Sequence, residues 1–387
     1  MKKIVIIGSS AVAVGVIRKL VKFNLVTEAS AQAKKFDITC ISKEPFYNKC
    51  FLVDYISKEK KEAELFTLSN NFLEKQNIKF IQGTVRAIDR EVKSVKLTNG
   101  ETVKFDKLIL GMGSSAINLN IPSLPKNGIF NFHTLRDALN LFEFVDKNKS
   151  KRAVIVGAGI TGLECADALW RLGLEVCVVD RASQLMPRFL DQDGSKFLTR
   201  LMNRQGIQIL LGEEIQSVYG NSKVETVCLK SNKKIKTDLV IFSIGVKPNS
   251  ELAEDAGLKL DGRHVMVNEF LQTSDTNIYA AGDLIRIKNV LTSENLPSCL
   301  WADAMLQGAF IASNLAGETK AYPGSLMITQ THIFGCELAK CGIVEKGEIQ
   351  QSKYFYEKNL TDGQFIHIGN IERISELKRK ILSQIVF

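Results

Sequence analysis

The stretch KRAVIVGAGITGLECADALWRLGLEVCVVDR, residues 151–181, restricts the possible folds more than any other part of the chain. Residues 153–156 are a short apolar run, fit for a strand buried on both faces. Gly157-Ala158-Gly159-Ile160-Thr161-Gly162 follows as GxGxxG, then a helical pattern over 163–172. A second apolar run, 176–179, ends in Asp180. Each glycine has its own reason. Gly157 makes a tight turn, Gly159 lets backbone approach a pyrophosphate, and Gly162 lets helix and strand pack closely, with the anion on the helix N-terminus. Asp180, 23 residues after Gly157, suits a ribose 2′-OH and repels a 2′-phosphate, which favours NADH over NADPH. The adjoining Arg181 keeps NADPH open.

The N-terminus repeats this plan in eroded form. Residues 4–7 form the apolar run, and Gly8-Ser9-Ser10-Ala11-Val12-Ala13 stands where GxGxxG would be. Gly8, Ser10 and Ala13 thus take the three glycine positions, and serine and alanine are small enough to admit a phosphate. The next strand, about 37–41, leads to Glu44. That carboxylate is 36 residues from Gly8, against about 20 in the usual fingerprint, so residues 24–35 read as an insertion. Taken alone, the segment is equally a structural βαβ unit. Two dinucleotide sites in one chain imply electrons passing between two cofactors. Two copies of one structural domain are the alternative.

The remaining composition narrows the class. A chain of 387 residues suits two or three domains. With 45% hydrophobic and 24% charged residues it reads as soluble and globular. The net charge of +9 favours acidic partners and acidic ligands such as dinucleotides. Nucleic acid is not expected, because the longest basic cluster, Lys378-Arg379-Lys380, has no nucleic-acid motif around it. Met1-Lys2-Lys3 and the apolar run after it suggest a signal peptide, but Gly8-Ser9-Ser10 and then Arg18-Lys19 interrupt it. No stretch is apolar enough to span a bilayer. The eight cysteines form neither CxxC pairs nor a zinc-like cluster, so no metal is expected. Most read as buried thiols of a reducing compartment, and a cytoplasmic location is the expectation.

Further strings then fall in a recognisable order. They are Gly83-Thr84-Val85, Phe105-Asp106-Lys107-Leu108-Ile109-Leu110-Gly111-Met112-Gly113-Ser114, Ile244-Gly245-Val246-Lys247-Pro248-Asn249, and Asn277-Ile278-Tyr279-Ala280-Ala281-Gly282-Asp283. With the two glycine-rich starts they resemble the pyridine nucleotide–disulfide oxidoreductase superfamily over nearly the whole chain. The resemblance implies an α/β fold with two Rossmann-like domains, one for FAD and one for NADH, plus a small α+β interface domain. It implies that backbone at Val85 meets the FAD base, that the strand ending near Gly113 closes the first half of the FAD domain, and that Asp283 holds the ribityl hydroxyls. Gly111 and Met112 depart from that strand's usual Ala-Thr, and Gly245 belongs to the return crossing. The FAD domain would cover 1–118 and 238–320, the NADH domain 119–237, and the interface domain 321–387, which commonly makes such proteins homodimers. Ile374, Leu377, Ile381 and Ile385, spaced three, four and four apart, read as one buried helix face.

The resemblance also places Glu164 near the flavin–nicotinamide contact, although a glutamate in a first helical turn is equally favoured by the helix dipole. It places Lys49 close to FAD, where a solvated loop lysine is the alternative. The branch that reduces disulfides directly carries a C-x4-C pair after the first βαβ unit, and none stands near residue 50. Cys336 and Cys341 have that spacing elsewhere. In a strand they would face opposite ways and read as core thiols. Cys50 occupies the loop where NADH oxidases, NADH peroxidases and coenzyme A disulfide reductases keep a single redox cysteine, and Lys49 would favour its thiolate. In the rubredoxin-reductase and nitrite-reductase branches, which the chain also resembles, that slot need not be cysteine. Asp54 departs from the lysine that oxygenase-linked ferredoxin reductases carry there. The leading expectation is an enzyme passing electrons from NADH through FAD to a small acidic iron or iron–sulfur protein such as rubredoxin. The alternatives are a Cys50-dependent NADH oxidase, peroxidase or CoA-disulfide or persulfide reductase with a small-molecule acceptor, and a non-catalytic, flavin-bound, redox-switched interaction protein.

Overall fold

Each apolar run expected to be a buried strand is one, and the runs assemble into two five-stranded parallel sheets. The computed structural model describes residues 1–29, 36–119, 121, 125, 127–342, 348–351, 355–359, 364–369 and 371–384. In the first sheet the strand order is Ile278–Ala280, Lys107–Leu110, Lys2–Ile7, Phe36–Ser42, Lys79–Gln82. In the second it is Gln208–Leu211, Glu175–Asp180, Arg152–Val156, Leu239–Phe242, Ile129–Asn131. All neighbours in both sheets run parallel, which requires crossover connections. The helices Ala11–Ala29 and Ile160–Arg171 supply the crossovers from Lys2–Ile7 to Phe36–Ser42 and from Arg152–Val156 to Glu175–Asp180.

The repetition extends beyond the glycine turns. In each sheet a three-stranded antiparallel meander precedes the strand that returns beside the central one, Lys107–Leu110 or Leu239–Phe242: Val85–Asp89, Ser94–Leu97, Thr102–Lys104 in one, and Ile215–Tyr219, Thr226–Leu229, Lys234–Lys236 in the other. The central strands Ile4–Ile7 and Ala153–Val156 are almost wholly buried, as expected of strands covered on both faces. The first helix is 19 residues long against 12 for its counterpart. Part of the expected insertion is therefore extra helix, and residues 30–35 of it lie outside the described residues.

The chain divides into two compact units: Met1–Phe51 with Lys61–Ser115 and Lys247–Ser325, and Leu52–Lys60 with Ala116–Val246 and Leu326–Phe387. The expected boundary at 237 is corrected by strand pairing. Leu239–Phe242 lies beside Arg152–Val156 in the second sheet, so the chain returns to the first unit only after Val246. The short helix Leu52–Ile56 also groups with the second unit, and so does the C-terminal region, which does not stand apart.

Within the first unit, the helix Trp301–Ala316 crosses Ala11–Ala29 at glycines. A Cβ on Gly15 would lie 2.1 Å from the Met305 carbonyl oxygen, and one on Gly308 would lie 2.3 Å from that of Val12. Backbone meets backbone there, and no larger residue fits. In the second unit the C-terminal region forms an antiparallel five-stranded sheet, ordered Thr329–Ile333, Cys336–Cys341, Phe365–Gly369, Tyr356–Asn359, Glu348–Gln351. The last helix, Ile371–Gln384, buries Ile374 and Leu377 as its spacing requires; the side chain of Ile381, and Ile385 altogether, lie outside the described residues. Among the described residues no helix is long and apolar enough to cross a membrane.

Candidate functional site

The glycine turn of the second unit shows three distinct steric demands. Gly157 has φ of +113°, and a Cβ there would sit 2.1 Å from the carbonyl oxygen of Ser243, just beyond the fourth strand. A Cβ on Gly162 would lie 1.9 Å from the Gly157 oxygen. Gly159 differs from both. It is the extended N-cap of Ile160–Arg171 with φ of −80°, and no protein atom lies within 4 Å of where its Cβ would be. Nothing inside the protein requires glycine at 159. The open space at a helix N-terminus fits the close approach of a pyrophosphate. Asp180, the last residue of its strand, turns its carboxylate to this loop: Oδ2 accepts from the Ala158 amide at 2.5 Å and Oδ1 from the Ala182 amide at 2.8 Å.

The first unit reproduces the framework of that turn. Gly8 has φ of +106°, and its Cβ would lie 2.2 Å from the Gly111 oxygen, the position matching Ser243. The Gly8 amide donates to Ile41 at 2.9 Å as Gly157 donates to Val179 at 2.8 Å. The Ser10 carbonyl accepts from the Val14 amide at 3.1 Å, and Ala13 is fully buried. Strand register makes Ser42, not Glu44, the counterpart of Asp180, because Ile7 faces Ile41 as Val156 faces Val179. Ser42 Oγ accepts from Ser9 Oγ at 2.9 Å, and the Glu44 carboxylate, two residues further on, accepts from the Tyr47 hydroxyl at 2.8 Å. The longer helix hid this offset from counting along the sequence.

Beyond the turn, the first unit gathers the other expected positions. Gly113 has φ of +62° with nothing within 4 Å of a would-be Cβ, and its carbonyl accepts from the Asn249 amide at 3.0 Å. Asn249 Nδ2 also donates to Met112 at 2.9 Å, and Ser114 Oγ donates to Asp283 Oδ2 at 2.5 Å. Asp283 is thus held half-buried beside Gly113, in the short 3-10 turn Gly282–Leu284. The residues present fit an extended phosphate-bearing cofactor along the strand ends: an open glycine, a carboxylate and a small-residue turn. Val85, half-buried, begins the meander and pairs with Leu97. Lys49 and Cys50 form the 3-10 turn Lys49–Phe51; Cys50 is exposed, and its amide donates to Asn48 Oδ1 at 3.0 Å.

Glu164 carries the most perturbed environment of the expected residues. It lies on Ile160–Arg171, and Thr331 Oγ1, from Thr329–Ile333, donates to its Oε1 at 2.5 Å. Burial pushes its carboxyl up to about 7; the Thr331 hydrogen bond opposes this, and the charges of Asp54 and Asp167 add to it. One turn on, buried Asp167 accepts from the Phe334 amide at 2.9 Å and from Arg171 at 2.7 Å. Burial also raises Asp54, with Glu59 next. Neither Thr331 nor Asp54 sits in a motif, so only the fold reveals them. Gly245, with φ of +113°, closes this unit's return through its carbonyl, which accepts from Ile117 at 3.0 Å. Cys336 and Cys341 share one strand five residues apart; Cys341 is buried and Cys336 partly so.

The raised carboxyl makes a stability prediction. Below pH 4.5, the ordinary value, Glu164 is neutral whether folded or unfolded. Between 4.5 and about 7 the unfolded chain releases this proton and the folded one keeps it, so stability falls as pH rises. Glu164→Gln should therefore gain stability over wild type at pH 8, by up to about 3 kcal/mol, and gain nothing at pH 4. Thermal midpoints at the two pH values check this.

The sequence profile of the pyridine nucleotide-disulphide oxidoreductase family matches residues 2–302. The chain belongs to this family, a class of FAD- and NAD(P)H-dependent oxidoreductases. It is similar to the assimilatory nitrate reductase electron transfer subunit of Bacillus subtilis, at 29% identity over 92% of this chain, and spans only 45% of that protein's length. It is similar to the NADH-rubredoxin oxidoreductase of Clostridium acetobutylicum, at 30% identity over 91% of this chain and 90% of that one. Among solved structures, reduced Bacillus anthracis CoADR-RHD superposes with a TM-score of 0.87 at 25% identity, over 99% of this chain and 74% of that one.

Proposed function

We infer that the protein is an NADH-dependent reductase that holds FAD in its first unit and passes electrons to a small iron or iron–sulfur protein. The duplicated glycine turn carries this reading, because two nucleotide sites of one plan suit a donor and a resident acceptor better than either suits alone. In the first unit Gly8, Ser10, Ala13, Glu44, Lys49, Val85, Gly113 and Asp283 would hold FAD. In the second, Gly157, Gly159, Gly162, Asp180 and Gly245 would frame NADH, with Glu164 beside the nicotinamide. When bound, the flavin accepts hydride from the dihydronicotinamide and can release electrons singly.

Support for the acceptor comes from three sides. Cys336 and Cys341 alternate on one strand, so they suit the core rather than a redox pair. A relative named for rubredoxin aligns over 91% of this chain. The net charge of +9 suits an acidic partner. The working form is a homodimer built through the C-terminal region. A second reading rests on Cys50, which is exposed in its turn and would exchange electron pairs with oxygen, peroxide, a disulfide or a persulfide.

Anaerobic titration of the purified protein with NADH tests both. One equivalent bleaching each flavin supports the protein acceptor. Two equivalents, with a thiolate–flavin charge-transfer band, would move the assignment to Cys50, and a colourless protein that takes up no FAD would overturn both. NADH preference rests on Asp180. Asp180→Ala should weaken NADH roughly 10- to 100-fold with flavin content intact, and unchanged NADH kinetics would count against the assignment.

A further inference from the structure

Four acidic groups and one hydroxyl, that of Thr331, gather on a single face of the helix Ile160–Arg171. Glu164, Asp167 and Arg171 are spaced three and four residues apart, so they line one stripe. The stripe is clipped to the C-terminal sheet at two points, Thr331 to Glu164 at 2.5 Å and the Phe334 amide to Asp167 at 2.9 Å. At its far end Arg171 bridges Asp167 and Glu59. Asp54 lies on Leu52–Ile56, a helix packed directly against Ile160–Arg171, and its charge bears on Glu164. His332, beside Thr331, bonds Glu337 at 3.0 Å and bears on Asp54 and Asp167 rather than on Glu164. The remaining elements packed on the helix are the strands Arg152–Val156 and Glu175–Asp180; Ile155 meets Gly162 there, whereas Cys177 packs with Val218 and Val227 in the cluster of the meander.

The four acidic groups thus have unequal partners. Asp167 has a guanidinium and an amide, and Glu59 has the same guanidinium. Glu164 receives the Thr331 hydroxyl and faces the Asp54 and Asp167 charges. A hydroxyl that donates to a carboxylate steadies its ionised form and fixes its rotamer, whereas a like charge nearby favours the neutral form. We propose that Thr331 is a positioning residue for Glu164 and that Asp54 opposes it, so that the protonation of the carboxyl beside the dihydronicotinamide is set from the C-terminal sheet and from Leu52–Ile56. Thr331 lies beyond residue 302, where the family match ends, so this control belongs to the chain's own C-terminal region. That Glu164 stands beside the nicotinamide rests on the function inferred above; the control of its proton does not.

The test follows the proton directly in the flavin-loaded protein. Infrared spectra recorded across pH contain a protonated-carboxyl band from Glu164, identified as the band missing in Glu164→Gln. Thr331→Val removes the donor and should move the band's midpoint upward by about half to one pH unit, and Thr331→Ser should restore it. Asp54→Asn removes the opposing charge and should move the midpoint downward by a similar amount. Opposite shifts are the signature, because a change in packing alone would not reverse sign between the two. The pH at which NADH bleaches the flavin half as fast should move in step. Midpoints that stay fixed, or that move the same way in both variants, overturn the proposal, and if Thr331→Val does not fold, Thr331→Ser and Asp54→Asn decide it. Normal bleaching with fixed midpoints would leave the reductase standing and sink the control. Opposite shifts in a protein that NADH never bleaches would do the reverse.

Discussion

Gly157→Ala should destabilise the protein by roughly 2–6 kcal/mol, lowering its thermal midpoint by about 10 °C or more. Two costs coincide at this residue. Its φ of +113° is one that alanine adopts only under strain. The new methyl would also stand 2.1 Å from the Ser243 oxygen, which is backbone and cannot swing aside. Relief requires the paired strands Arg152–Val156 and Leu239–Phe242 to part. Gly8→Ala should act alike in the first unit, where the corresponding distance is 2.2 Å. Differential scanning calorimetry of the two variants checks both. A midpoint within a degree of wild type in either would show that the turn yields more easily than its geometry allows.

Gly159→Val is expected to do the opposite: to leave the fold intact and cost NADH about 3 kcal/mol, roughly a hundredfold in affinity. The backbone there is ordinary for any residue, and no protein atom lies within 4 Å of the added carbon. Side-chain bulk can therefore offend only what approaches from outside. It would hold a pyrophosphate away from the amides at the start of Ile160–Arg171, where two charge-assisted hydrogen bonds would be lost. Calorimetric melting and an equilibrium NADH titration separate the two effects. Unaltered affinity would mean that the nucleotide does not lie across this turn, and a large loss of stability would mean that Gly159 is structural after all.

The central strands of both parallel sheets were legible because buried parallel strands are written as unbroken apolar runs, such as Ile4–Ile7 and Ala153–Val156. Ownership of those runs was less legible. Residues 239–242 look the same whichever sheet takes them, and only pairing with Arg152–Val156 assigns them. The C-terminal sheet was harder still, since Tyr356–Asn359 buries Glu357 and Lys358 and Thr329–Ile333, though its burial alternates, buries Thr331 where an apolar residue would mark the face. Gly157, Gly159, Gly162 and Asp180 could be read from spacing because their job is local to one turn. The partners of Glu164 could not. Thr331 is 167 residues away in sequence, and no periodicity links a helix to a strand that far along the chain. Asp54 appeared only as a departure from a familiar lysine, and its meaning emerged once Leu52–Ile56 was seen to pack with the second unit.

The glycine crossing of the first unit bears on how this chain is made. The helix Ala11–Ala29 and four strands of its sheet precede residue 111 in the chain. The strand Ile278–Ala280 that lies beside Lys107–Leu110, and the helix Trp301–Ala316 that meets Gly15, come only after residues 30–277 and 30–300 respectively have been synthesised. At about 5–20 residues per second that interval is roughly 15 to 50 seconds. Throughout it the sheet keeps one open edge, and a stripe of bare backbone around Gly15 waits for a partner that does not yet exist. The sheet that contains Lys2–Ile7 is therefore completed only after the strands of the second sheet have been made.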